Sequence, residues 1–99
     1  MDDFPSREDP IVIPIEDFLD LHAFRPGEVR DLLDDYLEEA WKKGFREVRI
    51  IHGKGTGMLR SRVQGILAQH PLVLTYREAD TRDGGWGATV AVLKEKPTG

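Results

Sequence analysis

Ninety-nine residues suffice for one compact domain and are too few for two of ordinary size. With 39% hydrophobic residues the chain can bury a core, which sets it apart from disordered sequences, and the absence of cysteine excludes a disulfide scaffold, a thiolate zinc site and a cysteine nucleophile. The net charge of −4 argues against a uniformly basic surface, but the charges are segregated: residues 1–39 hold 13 acids and 3 bases, whereas residues 40–62 hold one acid and seven bases.

Residues 1–14 read as an extended arm, with Pro5, Pro10 and Pro14 confining the Ile11-Val12-Ile13 run to an edge position. The arm begins with acids, unlike a secretory or transit peptide, and no apolar run in the chain approaches the roughly 20 residues that span a bilayer. A cytoplasmic monomer with no membrane partner is the expectation. Ile15 to His22 reads as a strand on which Phe18, Asp20 and His22 share one face and Leu19 and Leu21 the other. Arg25-Pro26-Gly27 ends it. A helix then runs from about Pro26 to Lys43, with Val29, Leu32, Leu33, Tyr36, Leu37, Ala40 and Trp41 on its apolar stripe and Gly44 as its stop.

Arg46 to Ile51 is a β-branched strand, and His52-Gly53-Lys54-Gly55-Thr56-Gly57 is a glycine loop leading into a second helix from Met58 to Gln69. Leu59, Val63, Ile66 and Leu67 form the buried stripe of that helix, and Pro71 blocks its continuation at His70, whose ring is expected to meet the last helical carbonyls. Strands from Leu72 to Glu78 and from Gly87 to Lys94 follow, joined by the loop Ala79–Trp86. The order β-α-β-α-β-β predicts a two-layer α/β sandwich with a mixed four-stranded sheet and parallel first strands, over residues 15–95, with a short tail at 96–99.

The glycine loop is the most specific local feature. Glycines at 53, 55 and 57 allow close approach and positive φ, expected at Gly55 in particular, while the following helix start offers N–H groups to an anion. Lys54 and Thr56 add charge and a hydroxyl. The spacing fits neither a Walker A loop nor GxGxxG. Asp20 and His22 make a second feature, a carboxylate placed to orient an imidazole for acid–base work. A divalent metal, Mg²⁺ or Mn²⁺, could use Asp20, although one aspartate is a thin site. Ligands of parallel α/β sheets bind outside the carboxyl ends of the strands, so His22, His52, Arg25, Lys54, Thr56 and Arg60 should gather on one phosphate-binding edge. Trp86 could stack on a base or cover the core.

Leu19-Asp20-Leu21-His22, the helix after Arg25-Pro26-Gly27-Glu28, the loop from His52 to Gly57 followed by Leu59-Arg60, and Gly84-Gly85-Trp86-Gly87-Ala88-Thr89 together resemble the small MutS-related (Smr) domain family, here as a stand-alone domain. Where many members carry glycine after the first histidine, this chain has Ala23. The resemblance implies a fold like the C-terminal domain of bacterial translation initiation factor 3, DNA or RNA as partner, and in several members nicking or RNA-cleaving endonuclease activity. It carries catalytic roles onto Asp20, His22, His52 and Arg60. Nucleic-acid contacts are expected from Arg25, Gly53, Lys54, Gly55, Thr56, Gly57, Arg62 and Trp86. A binding module without catalysis and a protein-interaction domain using the acidic first helix are the alternatives.

Overall fold

A computed structural model describes residues 15–53, 55, 57–79 and 87–97. The arm at 1–14, Lys54, Thr56, most of the loop ending at Trp86, and the last two residues lie outside the described residues. The elements are β1 (Phe18–Asp20), α1 (Val29–Lys42), β2 (Glu47–Ile51), α2 (Met58–Gln69), β3 (Val73–Glu78) and β4 (Ala88–Leu93). The sheet order is β1-β2-β4-β3. β1 runs parallel to β2, whereas β4 is antiparallel to both β2 and β3, so the sheet is mixed as expected.

Both helices feed one core. Val29, Leu33 and Leu37 of α1 and Val63, Ile66 and Leu67 of α2 join Val48, Ile50, Ala91 and Leu93 of the sheet in a single buried cluster. Ala88 and Val90 alternate with these positions on β4 and belong instead to a small cluster with Ala79 and Ile51 on the opposite face. The helices therefore form one layer on one side of the sheet. Trp41 packs half-buried against the core, as the apolar stripe implied.

β1, which starts at Phe18 rather than Ile15, and the start of α1 differ most from the sequence reading, and the other element ends shift by a residue at most. The turn Pro26–Glu28 is a 3₁₀ helix rather than the first turn of α1. Glu28 N–H donates to the Arg25 carbonyl at 2.9 Å, and the Glu28 carboxylate accepts from Arg25 N–H at 3.0 Å, which closes a tighter ring than an α turn. β1 stops at Asp20, two residues short of the expected end. Beyond it His22 N–H donates to the Asp20 carboxylate at 2.9 Å instead of to a strand neighbour.

Gly44, at φ +90°, ends α1 with Phe45 N–H bonded to the Ala40 carbonyl and Gly44 N–H to that of Trp41, the paired bonds of a Schellman stop. Tyr36 holds the entry to β1 by donating its hydroxyl to the Glu16 carbonyl at 2.6 Å, and burial pushes its phenol pKa well above the usual value. His70 does not meet helical carbonyls through its ring. Its Nδ1 accepts from Leu72 N–H at 3.1 Å, which requires a neutral ring, and Nε2 faces Asp34 Oδ1 at 3.5 Å. The imidazole therefore pins the α2–β3 turn to α1.

Candidate active site

The site forms where the parallel strands β1 and β2 end together. Asp20 pairs with Ile51 across the ladder, which brings His22 and the residues after Ile51 to the same edge. The Asp20 carboxylate receives two bonds from His22, one from the backbone N–H and one from ring Nδ1 at 2.5 Å. These bonds, the backbone one first, hold the Asp20 carboxyl below its ordinary range, and both side chains remain open to solvent. An acceptor on Nδ1 fixes the proton there and leaves Nε2 with its lone pair outward.

Gly53 sits directly against that nitrogen. A Cβ built on Gly53 would stand 3.4 Å from His22 Nε2, and its φ of +83° lies in the left-handed region. The positive φ calls for glycine here, and a Cβ would in addition come into van der Waals contact with the His22 ring. The N–H groups of His52 and Gly53 both reach the Gly87 carbonyl, at 3.0 and 2.8 Å, which fastens the start of the loop to the start of β4. At the other end of the loop Gly57, at φ +89°, is the N-cap of α2 and offers no side-chain cap to its first turn. Gly55 is not among the positive-φ glycines, and a Cβ there would meet nothing within 4 Å. The conformational demand expected at Gly55 falls on its neighbours two residues either side.

His52 is 6% exposed, and both ring nitrogens are engaged. The Gly53 carbonyl can only accept, so Nδ1 at 3.0 Å is the protonated nitrogen, and Nε2 accepts from the Thr89 hydroxyl at 2.9 Å. Gln64 Nε2 donates in turn to Thr89 Oγ1 at 3.2 Å. The chain from α2 through β4 to the loop is fully satisfied with a neutral ring. In this arrangement both ring nitrogens of His52 are engaged by protein groups, so the ring holds the loop at the edge of the cleft it helps to line.

A cleft of about 400 Å³ opens beside the loop, between Pro26 and the first turn of α2. Met58 and Leu59 contribute apolar wall, and Arg60 and Arg62 contribute charge. Arg60 Nη1 is paired with Glu78 Oε1 at 2.5 Å, so α2 and β3 fix the guanidinium at the rim. Among the described residues no three His, Asp or Glu side chains form a metal-holding group.

Residues 19–94 match the family model of the Smr domain. The chain belongs to the Smr domain family. The Endonuclease MutS2 of Clostridium tetani is 42% identical over 80 residues, and that of Staphylococcus carnosus 45% over 76 residues, covering 81% and 77% of this chain but 10% of each relative. The chain thus spans about a tenth of the length of these curated relatives. Among solved structures, the Smr domain of Thermus thermophilus MutS2 superposes with a TM-score of 0.73 at 35% identity, covering 78% of this chain and 96% of the other. YdaL, a stand-alone small MutS-related protein from Escherichia coli, gives 0.76 at 31% identity, covering 83% and 67%.

Within this Smr domain the sequence-predicted residues divide. Asp20, His22, Gly53, Gly57 and Arg60 gather at one edge, with Arg62 on the neighbouring turn. Arg25 is not among the residues lining the cleft; its backbone opens the 3₁₀ turn just before Pro26, which is. Lys54, Thr56 and Trp86 lie outside the described residues. Sequence reasoning missed the Gln64–Thr89–His52 chain and the Glu78 partner of Arg60. Thr89, a lone hydroxyl in an otherwise aliphatic strand, was a readable signal. The pairing of Arg60 with Glu78, 18 positions apart, carried none.

Proposed function

We propose that this Smr domain binds nucleic acid at the carboxyl ends of β1 and β2 and cleaves a phosphodiester there. The observation that carries the reading is the His22 ring, fixed by Asp20 at Nδ1 while Nε2 faces the space beside Gly53. Nε2 takes the proton from the attacking hydroxyl as its oxygen bonds to phosphorus, and the imidazolium then protonates the departing oxygen as its bond to phosphorus breaks. Asp20 supports the imidazolium. Arg60 faces the extra negative charge on the phosphoryl oxygens, and the start of α2 presents its positive dipole end to the same group. Asp20 and His22 offer a hard divalent cation one carboxylate, with no third ligand among the described residues, so every step is assigned to side chains. The names of the MutS2 relatives support nuclease chemistry, and the local excess of bases in residues 40–62 supports a polyanionic partner despite the net charge of −4.

The test is cleavage of labelled single-stranded, duplex and branched DNA and RNA by purified protein, with and without EDTA, alongside His22→Ala. The parent is expected to cut at least one substrate, and His22→Ala to cut it about 10²–10⁴-fold more slowly with affinity retained. Equal cutting by both proteins overturns the assignment. Binding without cutting by either leaves a structure-binding module, and binding that ignores salt points to a protein partner instead.

A further inference from the structure

A second cleft, of about 310 Å³, lies between α1 and α2 and is lined by Arg30, Ser61, Arg62, Gly65, Ile66 and Gln69. Arg62 lines both this cleft and the one beside the glycine loop, so the two adjoin at that side chain. We propose that the Arg30–Arg62 cleft is a second phosphate subsite, which takes the backbone phosphate of a nucleotide next to the one held at His22 and Gly53. The proposal rests on the nucleic-acid reading of the first cleft.

Two independent observations carry it. The first is charge. Arg46, Arg60 and Arg77 each pair with a glutamate, and Arg49 lies over the Phe18 ring at 5.9 Å. Arg30 and Arg62 have no acidic partner among the described residues, in a chain that carries 18 acids. Even Asp34, one turn along from Arg30 and placed for an i,i+4 pair, is turned to His70. Two guanidiniums without an acidic partner among the described residues, on the walls of one cleft, suit a bidentate oxyanion, and phosphate is the one the adjoining site would deliver.

The second observation is Gly65. It lies in the middle of α2, where glycine weakens a helix relative to alanine. Internal packing does not demand it, because its φ is not positive and a Cβ there would meet nothing within 4 Å. The residue leaves the floor of the cleft open, and an occupant between Arg30 and Arg62 supplies the reason. The acids further along α1, Asp34, Asp35 and Glu38, line a separate cleft with Trp41 and His70, so the basic track ends at Arg30.

The test uses the full chain carrying His22→Ala, to prevent turnover, titrated with a dinucleotide and with a hexanucleotide. Amide NMR shifts locate each ligand, and affinity for the hexanucleotide is read across a salt series. The hexanucleotide is expected to move Arg30 and Gly65 together with Gly53 and Gly57, the dinucleotide only the latter pair. Arg30→Ala should weaken the hexanucleotide about 3- to 10-fold and flatten its log–log salt slope by about 0.7, the value for one phosphate of a single strand. It should leave the dinucleotide unchanged. Gly65→Met should raise Tm while weakening the hexanucleotide, a combination that a purely structural glycine cannot produce. If Arg30→Ala changes neither affinity nor slope while Arg60→Ala weakens binding, the second subsite is wrong and the first site stands. If Arg30→Ala weakens both ligands alike, the cleft is part of the first site and not a separate subsite. If neither oligonucleotide binds any variant, the nucleic-acid reading falls and the subsite with it.

Discussion

Replacing Gly53 with alanine adds one methyl group, and the structure states what that group meets. The backbone at φ +83° lies in the left-handed region, where an L-residue costs about 1–2 kcal/mol. For a domain of this size each kcal/mol moves Tm by about 4–8 °C. The methyl would also stand 3.4 Å from His22 Nε2, in van der Waals contact with the nitrogen assigned to proton transfer. An attacking hydroxyl needs that space. The expected kinetic loss is therefore the full contribution of an acid–base group, about 10²–10⁴-fold, or roughly 3–5 kcal/mol of barrier. Gly44→Ala is the matched control. Its φ is +90°, nothing lies within 4 Å of a Cβ there, and it sits at the far end of α1 from the loop. It should show a similar fall in Tm with cleavage intact. Gly55→Ala should change stability by less than about 0.5 kcal/mol, because neither strain nor contact acts there. Cleavage and thermal melting measured together decide the matter. A folded Gly53→Ala protein that cuts at the parental rate would refute the placement of the reaction at Nε2.

Two further outcomes follow from the site. His52→Ala should lower stability by about 2–4 kcal/mol, since it opens a cavity and strands the Thr89 hydroxyl and Gly53 carbonyl; denaturant unfolding measures this, and a near-neutral effect would contradict the bonded chain through Thr89. Asp20 is held below its ordinary value of 3.8, so its bonds to His22 stabilise the fold above that pH and are lost as pH falls through the lowered value. The Tm difference between the parent and Asp20→Asn should therefore shrink as pH drops from 5 toward 2, and a gap that widens on acidification would reverse the assignment. For the same reason any acid limb of the cleavage profile above pH 5 belongs to a group other than Asp20.

The order of elements was readable because each signal was local. The 3.6-residue stripe from Val29 to Trp41, the β-branched run ending at Ile51 and the glycines at 44 and 57 report on neighbours within one turn of the chain, where backbone geometry alone sets which side chains share a face. The Asp20–His22 bond was readable for the same reason, since two residues separate its partners. The length of β1 was not, because it depends on whether His22 N–H goes to a strand or to the Asp20 carboxylate.

The sequence by itself determined the family, the sheet edge where the two parallel strands end together and the pairing of carboxylate with imidazole. Tertiary structure alone decided how differently the two histidines are held. His22 and His52 both follow a strand end and look equivalent along the chain. One stands in the turn just past the edge strand, open to solvent, with its second nitrogen beside Gly53. The other lies beneath the loop, where Thr89, 37 residues away, takes its second nitrogen. The same holds for Arg60 and Arg62. They stand two residues apart on one helix, yet β3 supplies Glu78 to the first and no described residue supplies an acid to the second. Contacts between distant segments form only when the sheet order β1-β2-β4-β3 brings them together. Burial and pairing then decide which side chains of a given chemistry are held in place by a partner and which stay open.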